Sequence, residues 1–392
     1  MRGSMLGLST MRFHDMTRET LQTIRASILG SVALLPLLVL PSLVGALVDH
    51  AGFTEAEAGW VAAVGFAGSA LGAIIAGLRI RHFNPRMLAI IGLVLLAVFD
   101  GASIFAGQLP TWLFVTFRFV SGLGGAIAYA AVMATIATMS NPERDYGIFM
   151  VFQFGLSAIG LYWLPYLLPV IGVAGLFSIL AVAAVLSLLL RNSVIHREAV
   201  AHETAVEIKT LLKPAALMAM FGIGLYETAN LGYYTYSERI GLSMGLNDYQ
   251  VGEVLGVATL LGVPSAFGVV WLGDRFGQLK PLFLALLVSI IGLLILVYPI
   301  GKVSYSISMY MMGAAWAFGL AYFYAIEARI DPGGSVVVVG GFFTSSGAVL
   351  GPAIAAALVK PDFYDDVLLF AVGLYGVVAV LMTLCVARIG RN

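Results

Sequence analysis

Long apolar runs alternate with short polar breaks along this chain, and that alternation predicts its structure. A helix needs about 20 mostly apolar residues to cross the hydrocarbon of a bilayer. Twelve runs meet that length: 26–48, 57–78, 87–107, 111–138, 146–169, 173–191, 214–238, 249–272, 281–299, 305–326, 336–359 and 366–387. The breaks are short except for one polar segment, which carries Arg197, Lys209 and Lys213 beside Glu198, Glu203 and Glu207 and divides the runs six and six. The expected organisation is a tail over 1–25, a six-helix bundle over 26–191, a linker over 192–213, a second six-helix bundle over 214–387 and a short end over 388–392. Pro36 and Pro41 inside the first run predict a bend there.

Composition agrees with this pattern. The 392 residues are 60% hydrophobic and 11% charged, with a mean hydropathy of +0.98. Soluble domains carry about 25% charged residues, so the expected class is an all-α integral membrane protein. Formal net charge is zero, which implies no nucleic-acid partner. The single cysteine, Cys385, excludes an internal disulfide and a cysteine-based metal cluster. The five histidines are scattered, so no metal and no cofactor are expected. Residues 1–25 are polar and basic and lead into a run without a small-residue cleavage site, so no secretory leader is expected. Of the 21 lysines and arginines, only Arg239, Lys302 and Lys360 fall on one side and Arg118 within a run. By the positive-inside rule both termini are expected on the cytoplasmic side of the inner (cell) membrane. Trp60, Trp112 and Trp163 lie toward the outer ends, where indole rings suit the interface.

Ionisable residues within the runs are few and costly, and so informative. Asp100 lies in the third run and Arg118 in the fourth, each about seven residues (~10 Å) from the outer end. The two are expected to pair or to share a water-filled pocket, either as a protonatable site or as a permanent bridge between helices. Glu227 lies near the middle of the seventh run. Helical spacing puts Glu227, Asn230 and Tyr234 on one face. A carboxyl there suits a proton carrier or a cation site, and equally a bond to a neighbouring helix. Glu238 and Arg239 are expected to reach water at the outer end, and Glu327 to sit at the inner end of the tenth run. Tyr233, Tyr310 and Tyr322, with Gln153 and Ser157 of the fifth run, could line a cavity for a partly apolar ligand.

The halves show a weak internal repeat at an offset of about 190 residues. It sets Gly59 against Gly252 and Gly122 against Gly313, while Met309 stands opposite Arg118. Parallel repeats of this kind mark secondary transporters with a site between the halves. Arg118, followed by Ser121, Gly122, Gly124, Gly125 and Ala126, resembles the fourth-helix motif of the major facilitator superfamily, in which the arginine is tied to proton coupling. Asp274-Arg275-Phe276-Gly277 with Lys280 resembles that family's cytoplasmic loop motif, a breakable ionic latch. The first-half counterpart departs from it, with Arg81 at the acidic position and Asn84 in place of glycine. Gly347 through Gly351-Pro352 resembles in part the Gly-Pro motif that antiporters of the superfamily carry in helix five. Here helix five reads Gly155-Leu-Ser-Ala-Ile-Gly160 and lacks it.

The resemblance implies a monomeric transporter working by alternating access of two six-helix halves. Its expected activity is proton-coupled uptake of an organic acid or another partly apolar or aromatic compound. The proton-coupling candidates are Asp100, Arg118 and Glu227. The substrate-binding candidates are Arg118, Gln153, Glu227, Asn230, Tyr233, Tyr234, Tyr310 and Tyr322, and the latch is Asp274, Arg275 and Gly277. The rival within the class is proton-driven efflux of hydrophobic or cationic compounds. A rival from another class is a lipid-handling or enzymatic membrane protein on the same frame. Gly122-Leu-Gly124-Gly125 is not a dinucleotide loop, since no strand precedes it. No catalytic constellation appears, so the chain is not expected to be an enzyme.

Overall fold

The computed structural model describes residues 2–79, 83–195, 208–272 and 275–389. Among the described residues the chain is helical apart from turns and one isolated bridge between Lys360 and Phe363. Nine helical segments among the described residues are long and apolar enough to cross a membrane, and each of the twelve expected runs lies on helix.

The difference between nine and twelve has local causes. The first run is broken into α1 (Arg2–Ala33), α2 (Leu35–Leu38) and α3 (Leu40–Ala51). Pro36 and Pro41 occupy the first turns of the two short pieces, where a missing N–H costs nothing but a continuous helix cannot pass. Residues 2–25, expected as a tail, continue the same helix. The fifth and sixth runs share α7 (Pro142–Ser187), interrupted at Gly172, whose φ of 59° and ψ of −169° are not helical. The seventh run is split into α9 (Pro214–Thr235) and α10 (Ser237–Ser243), and its apolar character is diluted by Glu227, Asn230 and several tyrosines.

The remaining helices follow the expected boundaries closely: α4 (Glu55–Arg79), α5 (Pro85–Ala102), α6 (Thr111–Ala137), α11 (Asp248–Leu260), α12 (Gly262–Leu272), α13 (Leu279–Val297), α14 (Val303–Ile330), α15 (Ser335–Leu358) and α16 (Asp365–Ile389). A one-turn piece, α8 (Ile208–Leu211), precedes α9, and residues 196–207 of the expected linker lie outside the described residues. Large apolar side chains such as Leu78, Trp112, Val182, Phe267 and Trp271 are exposed, as lipid-facing surfaces require. Trp60 and Trp163 are exposed as well.

Small residues set the internal packing. A Cβ on Gly122 of α6 would collide with the carbonyl of Gly65 on α4. At the repeat position, a Cβ on Gly313 of α14 would collide with the carbonyl of Ala258 on α11. Without hydrophobic contrast between helix and lipid, such close backbone approach is what holds membrane helices together. The repeat extends to helix starts. Thr54 and Glu57 cap α4 reciprocally, with Thr54 N–H donating to Glu57 at 2.9 Å and Glu57 N–H to Thr54 at 3.2 Å. Asn247 and Gln250 do the same for α11.

The N-terminal and C-terminal helices meet most intimately at the end that carries Arg239. Its guanidinium reaches both carboxylate oxygens of Asp49, at 2.7 and 2.9 Å, and Glu55 at 3.5 Å. Tyr236 donates to the carbonyl of Glu55 at 2.8 Å, and Tyr364 donates to its carboxylate. Gly59 packs on Tyr236 and Ala356, while its repeat counterpart Gly252 packs on Pro165 and the carbonyls of Leu161 and Tyr162. The Tyr166 and Tyr249 rings meet with centroids 4.4 Å apart. Glu238, expected to reach water, is instead buried against Gly45 of α3, because α10 turns its first residues into this closure.

Candidate functional site

Behind that closure, between the N-terminal and C-terminal helices, lies a cavity of about 270 Å³. The break in the first run shapes its roof. At the break the carbonyl of Leu38 accepts from Ser157 Oγ of α7 at 3.0 Å and from Tyr234 Oη of α9 at 2.9 Å. One freed carbonyl thus ties three helices from both parts of the chain. Leu34, Leu37, Phe66, Phe154, Leu231, Leu255, Met309, Met312 and Trp316 supply an apolar wall.

The polar face of the cavity comes from α9. Glu227, Asn230 and Tyr234 all line it, together with Tyr233, as one helical face should. Glycines let α15 press against this stretch: a Cβ on Gly347 would strike the carbonyl of Gly224 and sit 3.0 Å from Cβ of Glu227. Glu227 Oε1 accepts from the indole N–H of Trp316 at 3.0 Å. Asn230 donates from Nδ2 to the carbonyl of Tyr226 at 2.9 Å, and its Oδ1 is buried without a donor. Gln153 also lines the cavity. Glu227 is the one carboxylate among the lining residues, and none of them is Arg, Lys or His.

Arg118 is elsewhere. Its Nη1 lies 2.5 Å from Asp100 Oδ1, and its guanidinium sits over the Phe177 ring at 5.0 Å. Ser121 donates to the same Asp100 oxygen at 2.6 Å, while Asp100 Oδ2 is buried without a donor. Both charged side chains are buried among α5, α6 and α7, so the expected pairing is present. Arg118 was also expected to contact substrate; its side chain points into the N-terminal bundle and is not among the residues lining this cavity. Tyr310 and Tyr322 are not among its lining residues either. On α14 the lining positions are Met309, Met312, Gly313 and Trp316, and one residue further turns about 100° away from that face. Tyr322 is buried against Phe318, with ring centroids 5.1 Å apart.

Of the expected latch, Asp274 lies outside the described residues. Arg275 lies over the Trp271 ring at 5.6 Å, and Gly277 adopts φ +68° in the turn before α13. Glu327, near the C-terminal end of α14, is fully buried with its carboxylate against Gly340. Sequence reasoning missed Trp316 and the closure built from Asp49, Glu55, Tyr236, Arg239 and Tyr364. The three-residue and seven-residue spacings from Met309 would have put Trp316 on one face with Met312. No local signal pairs Arg239 with Asp49.

A multi-pass helical membrane protein with repeated halves and a ligand-sized cavity between them has the architecture of a secondary transporter. Comparison with known proteins makes this specific. The sequence model of the Major Facilitator Superfamily matches residues 26–356, and the chain belongs to that superfamily. It is 24% identical over 346 residues to an uncharacterized MFS-type transporter of Enterobacter sp. (strain 638), covering 86% of this chain and 88% of that one. It is 22% identical over 339 residues to the 3-(3-hydroxy-phenyl)propionate transporter of Escherichia coli (strain K12), covering 80% and 81%. The crystal structure of the nucleoside transporter NupG shares the fold with a TM-score of 0.76 at 14% identity, over 93% of this chain and 98% of that one.

Proposed function

We propose that this protein moves a small, partly aromatic compound across the membrane, coupled to protons, by alternating access of two six-helix halves. The halves are residues 26–191 and 214–387, joined by the linker 192–213. The cavity between them carries the reading: it is ligand-sized, walled by apolar and aromatic side chains, and holds one carboxylate, Glu227, fixed by Trp316. We assign Glu227 to proton coupling, and Gln153, Asn230, Tyr233 and Tyr234 to substrate contact. The Asp100–Arg118 pair either shares in coupling or holds α5 to α6.

With lysines and arginines concentrated at the end bearing both termini, that end is cytoplasmic. The protein then sits in the inner membrane, and the Arg239 end faces outward. The conformation is the one closed to the outside, and Asp274, Arg275 and Gly277 form a latch at the cytoplasmic face. It acts as a monomer. Uptake of an aromatic acid is favoured by the relative that transports 3-(3-hydroxy-phenyl)propionate. Efflux of hydrophobic or cationic compounds is the second reading, favoured because no cationic side chain lines the cavity.

The test is internal pH in proteoliposomes holding the purified protein, challenged with aromatic acids, sugars and cationic dyes. Proton movement with one ligand class, abolished by Glu227→Gln, is the expected result. Substrate movement without proton flux refutes the coupling assignment and leaves a uniporter.

A further inference from the structure

We propose that the central cavity takes the polar head of its ligand as a hydrogen-bond donor, so that an aromatic acid binds undissociated and shares its proton with Glu227. The inference rests on the reading of this cavity as the transport site for aromatic compounds, and it names the protonation state of the ligand.

Charge is the first argument. A bound carboxylate would find no Arg, Lys or His among the lining residues. Arg118 cannot serve, since it is 2.5 Å from Asp100 and its side chain is only 5% exposed. An anionic head beside an ionised Glu227 would place two like charges together. Away from bulk water their repulsion is only weakly screened. A neutral head avoids this.

Hydrogen-bond polarity is the second argument and is independent of the first. Three hydroxyl donors of the cavity are already committed: Ser157 and Tyr234 to the Leu38 carbonyl, and Thr259 to Leu255 of its own helix at 2.9 Å. Two acceptors remain on α9. Asn230 has its Nδ2 fixed by Tyr226, which leaves the buried Oδ1 without a donor. Glu227 presents a carboxylate three residues away, about five-sixths of a turn, on the same face. Gln153 and Tyr233 add neutral groups of either polarity. A buried acceptor left without a donor keeps the full cost of its lost hydration. The matching head is therefore an O–H or N–H: undissociated carboxyl, phenol, primary amide or ammonium. An ionised carboxylate has acceptors only.

The balance for an acid is RCOO⁻ + H⁺ → RCOOH, with the O–H donated to Glu227 in the cavity and the proton released again with the acid. One proton travels with each acid and the translocated species is neutral. The titratable groups facing Glu227 are phenols: Tyr226, Tyr233 and Tyr234 on α9, Tyr324 on α14 and Tyr375 on α16. None carries charge near neutral pH, and α15 presents glycine there. The pH dependence of binding then reports the ligand and Glu227.

The experiment measures binding of 3-phenylpropionic acid, its primary amide and its methyl ester to the purified full chain between pH 5.5 and pH 8. For the acid, apparent Kd is expected to rise about tenfold per pH unit once the pH exceeds the pKa of both the acid and Glu227. The amide should bind equally at both extremes, and the ester, which lacks a donor, at least about tenfold more weakly than the amide. Glu227→Gln puts an amide donor in the cavity, so it should bind the acid at pH 8 with the pH dependence lost. Retained amide binding shows that this variant is folded. Acid binding that is independent of pH in the unaltered protein overturns the inference alone, as does an ester that binds as well as the amide. Failure of all three compounds to bind at any pH overturns the aromatic-compound reading and the inference with it.

Discussion

Removing Asp100 tests the buried pair most directly. Asp100→Ala deletes the acceptor of two hydrogen bonds, from Arg118 at 2.5 Å and Ser121 at 2.6 Å. It also leaves the Arg118 guanidinium buried with Ser103 Oγ at 3.5 Å and the Phe177 ring at 5.0 Å. Breaking one side of a buried ion pair costs about 3–5 kcal/mol, because a charge remains without compensation. The aromatic face returns about 1–2 kcal/mol of that, so the expected loss lies near the lower end, about 3 kcal/mol. The double variant Asp100→Ala/Arg118→Met removes both charges and fills the space with apolar atoms, and is expected to recover most of the loss. Asp100→Asn keeps an acceptor for both donors and should cost less than the alanine variant. The assay is reversible unfolding in mixed micelles. If Asp100→Ala matches the unaltered protein, Arg118 does not depend on Asp100 and the bridge is unimportant. If the double variant is as unstable as the single one, the cost is lost packing rather than stranded charge. On the functional side, pH-dependent transport that survives Asp100→Asn would remove Asp100 from proton coupling.

Two further outcomes follow from the same geometry. Gly59→Ala places a methyl group against the Tyr236 hydroxyl and 2.8 Å from Ala356 Cβ, and Tyr236 is fully buried and bonded to Glu55. The closure at the Arg239 end should be wedged apart, so that a cysteine placed at the cavity residue Ala348 reacts several-fold faster with an impermeant maleimide added from that side; an unchanged rate refutes the closure as described. Trp316→Phe keeps the ring wall but removes the N–H held at 3.0 Å by Glu227; a hydrogen bond to a charged group contributes about 1.5–3 kcal/mol, so ligand affinity measured by calorimetry should change by at least about tenfold, and no change would mean that Trp316 does not position Glu227.

Much of this protein is local and therefore visible in its sequence. Run length and hydropathy decide where helices cross a bilayer, because an unpaired backbone is intolerable in hydrocarbon. Pro36, Pro41 and Gly172 decide where those helices break, through a lost N–H or a backbone that only glycine adopts readily. The capping pairs Thr54–Glu57 and Asn247–Gln250 decide where two of them begin. The polar face of Glu227, Asn230 and Tyr234 was legible for the same reason, since one helix fixes its own periodicity. Tertiary structure alone decided what each face meets. Arg118 turns into a three-helix interior instead of the cavity, Tyr310 lies off the face that Met309 and Trp316 share, and Glu238 is buried under a closure made with α3. Arg239 finds Asp49 across 190 positions of sequence. These contacts depend on how closely glycines allow distant helices to approach and on how each helix is rotated against its neighbours, and no window of adjacent residues carries that information.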